Sequence, residues 1–364
     1  MPSTATRLGA VVFTAVLACS SCGGQSAAHR AVDAAAHATE TGTRDLMFRS
    51  GPDTLPATLL SPAGAGGPVP GALIISGSGP TDRDGNDPQY RHLDTNRNFA
   101  EALEGAGVAS LRYDKIGSGA AGLGSHTGGK GIDFDLYAQE ALDAYRTLAH
   151  RREVDPRRLI VVGHSEGALF ALWLADRLRG TPEAPRGLIL AASPGHRYLD
   201  VLSRQLTEQY RAAQSAGRLP AATAAAYIRD LRTVVGTIRT TGKPPAHFAD
   251  PAVASLFTPV NVAFLAQADR QDPFVLARRL APGLPVLVLR GTKDVQVDAS
   301  EVRRLMNGLA GDHRAERAEI PDADHVFKVV TGTPNPATDY PDPNRPFAPQ
   351  VAPRLTTFLR GTFG

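Results

Sequence analysis

Cysteine is almost missing from this 364-residue chain: only Cys19 and Cys22 occur, both close to the N-terminus. The rest of the protein therefore has no disulfide scaffold and must stand on its apolar core, which its length permits. Aromatic residues make up only 6%, and no long apolar lid segment announces a lipase. Neither sign of charge dominates. The formal net charge is +3 and the arginines are scattered, which argues against a nucleic-acid groove. Long apolar runs are scarce as well. "LGAVVFTAVLA", after Arg7, covers eleven residues and is too short to cross a bilayer. There is no internal repeat.

That N-terminal run reads as a secretory signal peptide over residues 1–18. It ends in "VLAC", which resembles the lipobox of bacterial lipoproteins, although Leu17 is bulkier than that motif usually has. On this reading Cys19 becomes the lipidated N-terminus, and its acyl chains hold the exported protein on the outer side of the cytoplasmic membrane. The other route is cleavage near "AAAHA" and release of a free protein. Residues 19–43 lack large apolar side chains and read as a flexible tether.

From residue 44 the composition is that of an ordinary globular protein, with 42% hydrophobic and 21% charged residues overall. "DLMFRS" and "TLPATLLSP" flank Gly51-Pro52-Asp53 and predict a hairpin. "GALII", "VASLRYD", "RLIVVGHS", "RGLILAAS" and "LPVLVLRG" are buried-strand patterns, separated by helical ones such as residues 94–106 and 133–150. This alternation predicts an α/β fold with a mostly parallel sheet covered on both faces. Two core segments, 44–195 and 281–364, flank residues 196–280, where helical patterns run on without a good strand. That block reads as a helical cap over the carboxyl ends of the strands. "TGTPNPATDYPDPNRPF" reads as a Pro/Asn/Asp loop.

The one G-x-S-x-G pattern, "GHSEG", lies between the strand "LIVV" and the helix "GALFALWLADRL". A nucleophile elbow needs that strand–turn–helix context, so Ser165 is the candidate nucleophile. Its partners should follow in the order acid, then histidine. Asp294 comes just after the strand "LPVLVLRG", and His325 follows a strand at "RAEI" in "IPDADHVF". His325 would take the serine proton while Asp294 fixes its tautomer. His196, His247 and His313 read as solvent-facing, Asp298 as a helix N-cap, and Asp322 and Asp324 as braces of the histidine loop. The oxyanion donors would be the backbone N–H groups of Glu166 and Ser78, the latter in the Ser76–Gly79 loop. Asp82, Asp84 and Asn86 alternate like calcium ligands, but Asp87 and Leu93 stand where such a loop needs Gly and Glu. No metal site is read, and Asp82, Arg83 and Asp84 are expected to brace the oxyanion loop.

Together, "GHSEG", "GTKDVQV", "DADHVF", "ISGSGPTDRDGND" and "LRYDKIGSG" resemble bacterial α/β-hydrolase esterases with an SGSGP-type oxyanion loop. These belong to the hydrolase-4, or serine aminopeptidase-like, group. The resemblance covers about residues 44–362 and is weakest across the cap. It implies an α/β-hydrolase fold and a carboxylic-ester hydrolase with the triad Ser165, Asp294 and His325. Ile116 stands where the family has arginine. The expected activity is cofactor-free hydrolysis of small to medium esters through an acyl-enzyme. The other readings are a peptidase or amidase with the same triad, and a non-catalytic envelope lipoprotein using the fold as a scaffold. The oligomeric state is not readable.

Overall fold

The computed structural model describes residues 42–311 and 314–364. Cys19, the leader, residues 19–41 of the tether and His313 lie outside the described residues. The chain enters the sheet as a hairpin of β1 (Thr43–Ser50) and β2 (Asp53–Leu60), with Ser50 paired to Asp53 across Gly51-Pro52. Gly51 has φ 54°, which glycine adopts without a Cβ penalty. Then follow β3 (Val69–Ile75), α1 (Thr95–Gly105), β4 (Ala109–Tyr113), α2 (Phe134–Ala149), β5 (Val154–His164), α3 (Glu166–Arg177) and β6 (Leu188–Ala191). A helical block comes next: α4 (Tyr198–Ser215), α5 (Ala221–Thr241), α6 (Pro251–Leu256), α7 (Pro259–Arg270) and α8 (Pro273–Arg279). The sheet resumes with β7 (Pro285–Gly291), α9 (Ala299–Gly308) and β8 (Arg314–Ile320), and the chain closes with α10 (Pro336–Asp339) and α11 (Val351–Phe363).

The described residues form an eight-stranded sheet in the order β1-β2-β4-β3-β5-β6-β7-β8. Its first two pairings are antiparallel, and all the others are parallel. Neighbouring rows of the register fill opposite faces, as the two-residue period of a strand requires. Leu73, Val161, Leu188 and Val286 sit in the core that includes α2 and α3, while Ile74, Val162, Ile189 and Leu287 pack towards α1 and α11. Burial of both faces explains why these strands read as unbroken apolar runs. The edge strand β8, "RAERAEI", instead carries charge on its exposed positions, which discourages further strand pairing.

Parallel strands bring their carboxyl ends to one edge of the sheet. The loops after β3, β5, β7 and β8 carry Ser78, Ser165, Asp294 and His325, respectively. The block between β6 and β7 is cross-braced around Asp269, which is 1% exposed. Its carboxylate accepts from the Leu199 amide at 2.9 Å, from Arg197 at 2.7 Å and from Arg239 at 2.8 and 3.0 Å.

A second buried carboxylate, Glu301 on α9, accepts from the amides of Gly195 at 2.6 Å and His196 at 2.7 Å. It also pairs with Arg204 and, at 3.0 Å, with the His196 ring. His196 is therefore half-buried against α9, its side chain still 34% exposed, rather than wholly solvent-facing as its sequence context predicts. Gly195 lets the chain lie against α9, since a Cβ there would be 2.0 Å from the Glu301 carbonyl oxygen, and this brings the following His196 to α9. His247 is exposed, and Asp298 caps α9, accepting from the Ser300 amide at 2.6 Å.

Candidate active site

Between β5 and α3 the chain turns through Ser165 at φ 54° and ψ −121°, outside the regions a non-glycine residue ordinarily occupies. The flanking glycines make this turn possible. A Cβ at Gly163 would lie 2.4 Å from the Gly167 carbonyl, and one at Gly167 would lie 2.2 Å from the Ile75 carbonyl. The Ser165 amide donates to Ala191 at 2.8 Å, tying the turn to β6.

Asp294 lies in the turn after β7 with its side chain fully buried. One carboxylate oxygen accepts the amides of Gln296 at 2.8 Å and Val297 at 2.9 Å. The other is 2.9 Å from Nδ1 of His325. A carboxylate can only accept, so this pairing puts the imidazole proton on Nδ1 and leaves Nε2 as the basic nitrogen.

The loop carrying His325 is held from several sides. One oxygen of Asp324 accepts the amides of Val326 and Lys328, both at 3.0 Å, and the other is engaged by Arg345. Burial pushes the Asp324 carboxyl up despite Arg345. Asp322 braces through its backbone: its amide donates to Thr292 Oγ1 at 2.9 Å, while its side chain is exposed. His164, next to Ser165, donates from Nε2 to the His325 carbonyl at 2.9 Å. Burial, then the nearby His325, lower its pKa to about 3, so His164 stays a neutral donor.

The loop after β3 is pinned at many points. Ser76 Oγ donates to the Asp82 carbonyl at 3.0 Å, and Thr81 Oγ1 donates to the Ser78 carbonyl at 2.7 Å. Asp82 accepts the amides of Asp84 and Asn86, both at 2.9 Å. Burial pushes the Asp84 carboxyl up, but Arg97 at 2.6 Å and Arg112 at 2.7 Å hold it below its ordinary value. Of the oxygens that alternate like calcium ligands, one of Asp82 is thus engaged by amides and both of Asp84 by guanidinium groups, and Asn86 Oδ1 accepts the Asp94 amide at 2.9 Å. A Cβ at Gly77 would be 3.4 Å from Ser165 Cβ, so the loop backbone lies directly against the serine. The amides of Ser78 and Glu166 have no protein acceptor among the described residues.

Ser165 lies where two clefts meet. One includes Ser78, Thr81, Asp87, Tyr90, Gln296, His325 and Tyr340. The other is lined by Glu166, Pro194, Tyr198, Val201, Leu202, Gln205 and Val297, with α4 as its roof. Glu166 does not reach into solvent. Its carboxylate accepts from Tyr198 at 2.6 Å, and burial raises its pKa while Lys115 and Tyr198 act in the opposite direction.

The sequence signalled Ser165, Asp294, His325, Ser78 and Glu166, and these all converge at this edge of the sheet. It gave no sign of Tyr340, which lies within the Pro/Asn/Asp loop, is buried and accepts from Gln296. Lys115 stands in the quoted "LRYDKIGSG", but nothing there signalled its contact: its ammonium donates to the Gly77 carbonyl. Ile116 is fully buried; its amide faces the Glu140 carboxyl at 3.3 Å.

This strand order, with a strained serine turn after the central strand β5, defines an α/β hydrolase. Within that class the chain belongs to the hydrolase family described as serine aminopeptidase S33, which it matches over residues 90–327. Esterase EstD of Thermotoga maritima is 25% identical over 288 residues, covering 78% of this chain. The chain spans 60% of that relative's length. An esterase from Pyrococcus furiosus has the same fold, with a TM-score of 0.53 at 16% identity, over 89% of this chain and 92% of its own. A proline iminopeptidase from Mycobacterium smegmatis gives 0.51 at 15% identity, over 88% and 98%.

Proposed function

We propose that this hydrolase is a serine esterase working through an acyl-enzyme. The observation that carries the reading is the buried Asp294–His325 pair, at 2.9 Å, opening on the cleft that Ser165 shares. His325 Nε2 takes the Ser165 proton as Oγ attacks the ester carbonyl. The amides of Ser78 and Glu166 receive the oxyanion, and His325 returns the proton to the leaving alcohol. Water, activated by the same histidine, then releases the acid.

The leaving group must sit beside His325, which assigns the alcohol to the cleft with Tyr90, Gln296 and Tyr340. The acyl chain then lies under α4 against Pro194, Val201, Leu202 and Val297, a lining suited to an apolar acid. An aminopeptidase would need to bind a free ammonium group on that acyl side. Its one carboxylate, Glu166, is buried and hydrogen-bonded to Tyr198, which favours esters over peptides. The apolar N-terminal run read as a signal peptide, ending in "VLAC", supports export and lipid anchoring through Cys19, and loss of membrane association in Cys19→Ala tests that.

The test of the chemistry is hydrolysis of a p-nitrophenyl ester series by the purified protein and by Ser165→Ala. Activity that collapses in the variant, with fluorophosphonate labelling confined to Ser165 in the parent, is the expected result. A parent that is neither active nor labelled overturns the reading.

A further inference from the structure

Lys115 is an unusual residue to bury. It follows β4, is only 5% exposed, and keeps its ammonium in the interior, 5.8 Å from the Tyr137 ring centroid. The acidic side chains of Glu140 and Glu166 are its neighbours, and Nζ donates to the carbonyl of Gly77. A buried ammonium is costly unless it is hydrogen-bonded and paired, so this contact sets where the side chain lies.

The Gly77 carbonyl and the Ser78 amide belong to one peptide plane. In a trans peptide the C=O and N–H point in opposite directions. A cation fixed on the Gly77 oxygen therefore turns the Ser78 N–H away from itself, to the side where Ser78 lines the cleft with Ser165 and His325. It also draws charge from the carbonyl, which makes the N–H a stronger donor. The side-chain anchors on either side of this plane act elsewhere: Asp82 takes the Ser76 hydroxyl, and Thr81 holds the Ser78 carbonyl. The second donor amide belongs to Glu166, whose side chain interacts electrostatically with the same lysine.

Building on the esterase reading above, we propose that Lys115 is a positioning residue for the oxyanion hole. It orients and polarises the Gly77–Ser78 peptide without touching substrate, and so acts on the transition state rather than on substrate binding.

The test compares the full-length parent with Lys115→Met, which keeps the length of the side chain and removes its charge and donors. kcat should fall about 10- to 100-fold with KM within about twofold, less than or equal to the loss when a donor is deleted outright. Affinity for an alkyl trifluoromethyl ketone, which forms a tetrahedral oxyanion on the serine, should fall by the same factor. Affinity for the matching methyl ketone should not move. A folded Lys115→Met with kcat and trifluoromethyl ketone affinity within about threefold of the parent overturns the inference. So does a loss shared equally by both ketones.

A crystal structure of the parent's trifluoromethyl ketone adduct gives a second test that does not depend on the variant folding. The oxyanion should accept from the Ser78 amide while Lys115 remains on Gly77. An oxyanion served by other donors refutes the proposal. A parent with no turnover and no labelling removes the esterase reading and this inference together, whereas an active parent with an indifferent variant removes this inference alone.

Discussion

Asp294→Asn is the sharpest perturbation of the proposed triad because its consequence can be worked through atom by atom. The oxygen of Asp294 that accepts the Gln296 and Val297 amides faces two fixed donors, at 2.8 and 2.9 Å. In the variant the amide oxygen must occupy that position, since turning the NH2 group there would oppose donor to donor twice. The NH2 group then faces His325 Nδ1, where the carboxylate oxygen now sits at 2.9 Å. A donor at that position stabilises the tautomer with the proton on Nε2, and that nitrogen can no longer accept the serine proton.

The turn itself keeps both amide hydrogen bonds, so the fold should be largely unaffected. In serine proteases the corresponding change of tautomer lowers kcat by about 10⁴, which corresponds to about 5.5 kcal/mol of transition-state stabilisation. The assay is kcat/KM on a p-nitrophenyl ester, with thermal unfolding measured in parallel. A loss of about 10³ to 10⁵ with a melting temperature within a few degrees of the parent is expected. A well-folded Asp294→Asn enzyme within tenfold of the parent would refute the assignment of Asp294 as the residue that fixes His325.

Three other outcomes follow from particular contacts. Burial, only partly offset by the Ile116 amide and Lys115, pushes the Glu140 carboxyl up to about 8. A carboxyl raised in the folded state contributes stability that is fully present below its unfolded pKa, near 4.5, and is lost as pH rises through about 8. Chemical denaturation of the parent should therefore weaken across that window by at most about 1.4 kcal/mol per pH unit, and Glu140→Gln should flatten the profile. Equal slopes in the two proteins contradict this account.

Gly167→Ala would place a methyl 2.2 Å from the Ile75 carbonyl and 2.8 Å from that of Ser76, pushing the oxyanion loop off the serine turn. It should lose soluble yield or more than about 3 kcal/mol of stability, and a native melting curve would disprove the packing argument. Val201→Trp should fill the cleft beneath α4, moving the acyl-length optimum of a p-nitrophenyl series to shorter chains while acetate turnover stays within about threefold. An unchanged profile would place the acyl group elsewhere.

The strands were legible because a sheet buried on both faces leaves a continuous apolar signature, as in "LIVV" and "LPVLVLRG". The candidate triad was legible for a different reason. An elbow writes its backbone requirement locally, in Gly163 and Gly167, and the acid and histidine then fall just beyond strand ends. Contacts made only in three dimensions left no such trace. The partner of His164 lies 161 positions away, and the carbonyl that Lys115 holds is 38 away. His196 misled because the carboxylate that covers it lies on a helix 105 residues later. Tyr340 was hidden in a stretch whose Pro, Asn and Asp content describes backbone turns and says nothing of where a single aromatic ring is sent.

The knot at Asp269 bears on how this scaffold can be altered. Arg197 and Leu199 approach it from the start of α4, Arg239 from the end of α5, and Asp269 itself belongs to α7. Three helices of the block thus share one keystone, and Tyr198, between Arg197 and Leu199, lines the cleft beside Ser165. A protein engineer therefore inherits a roof that can be redecorated on its inner surface, at Val201 or Gln205, without being rebuilt. Random exchange of whole helices would instead leave a buried carboxylate or an arginine stranded, and the roof would fall before any new selectivity could be observed.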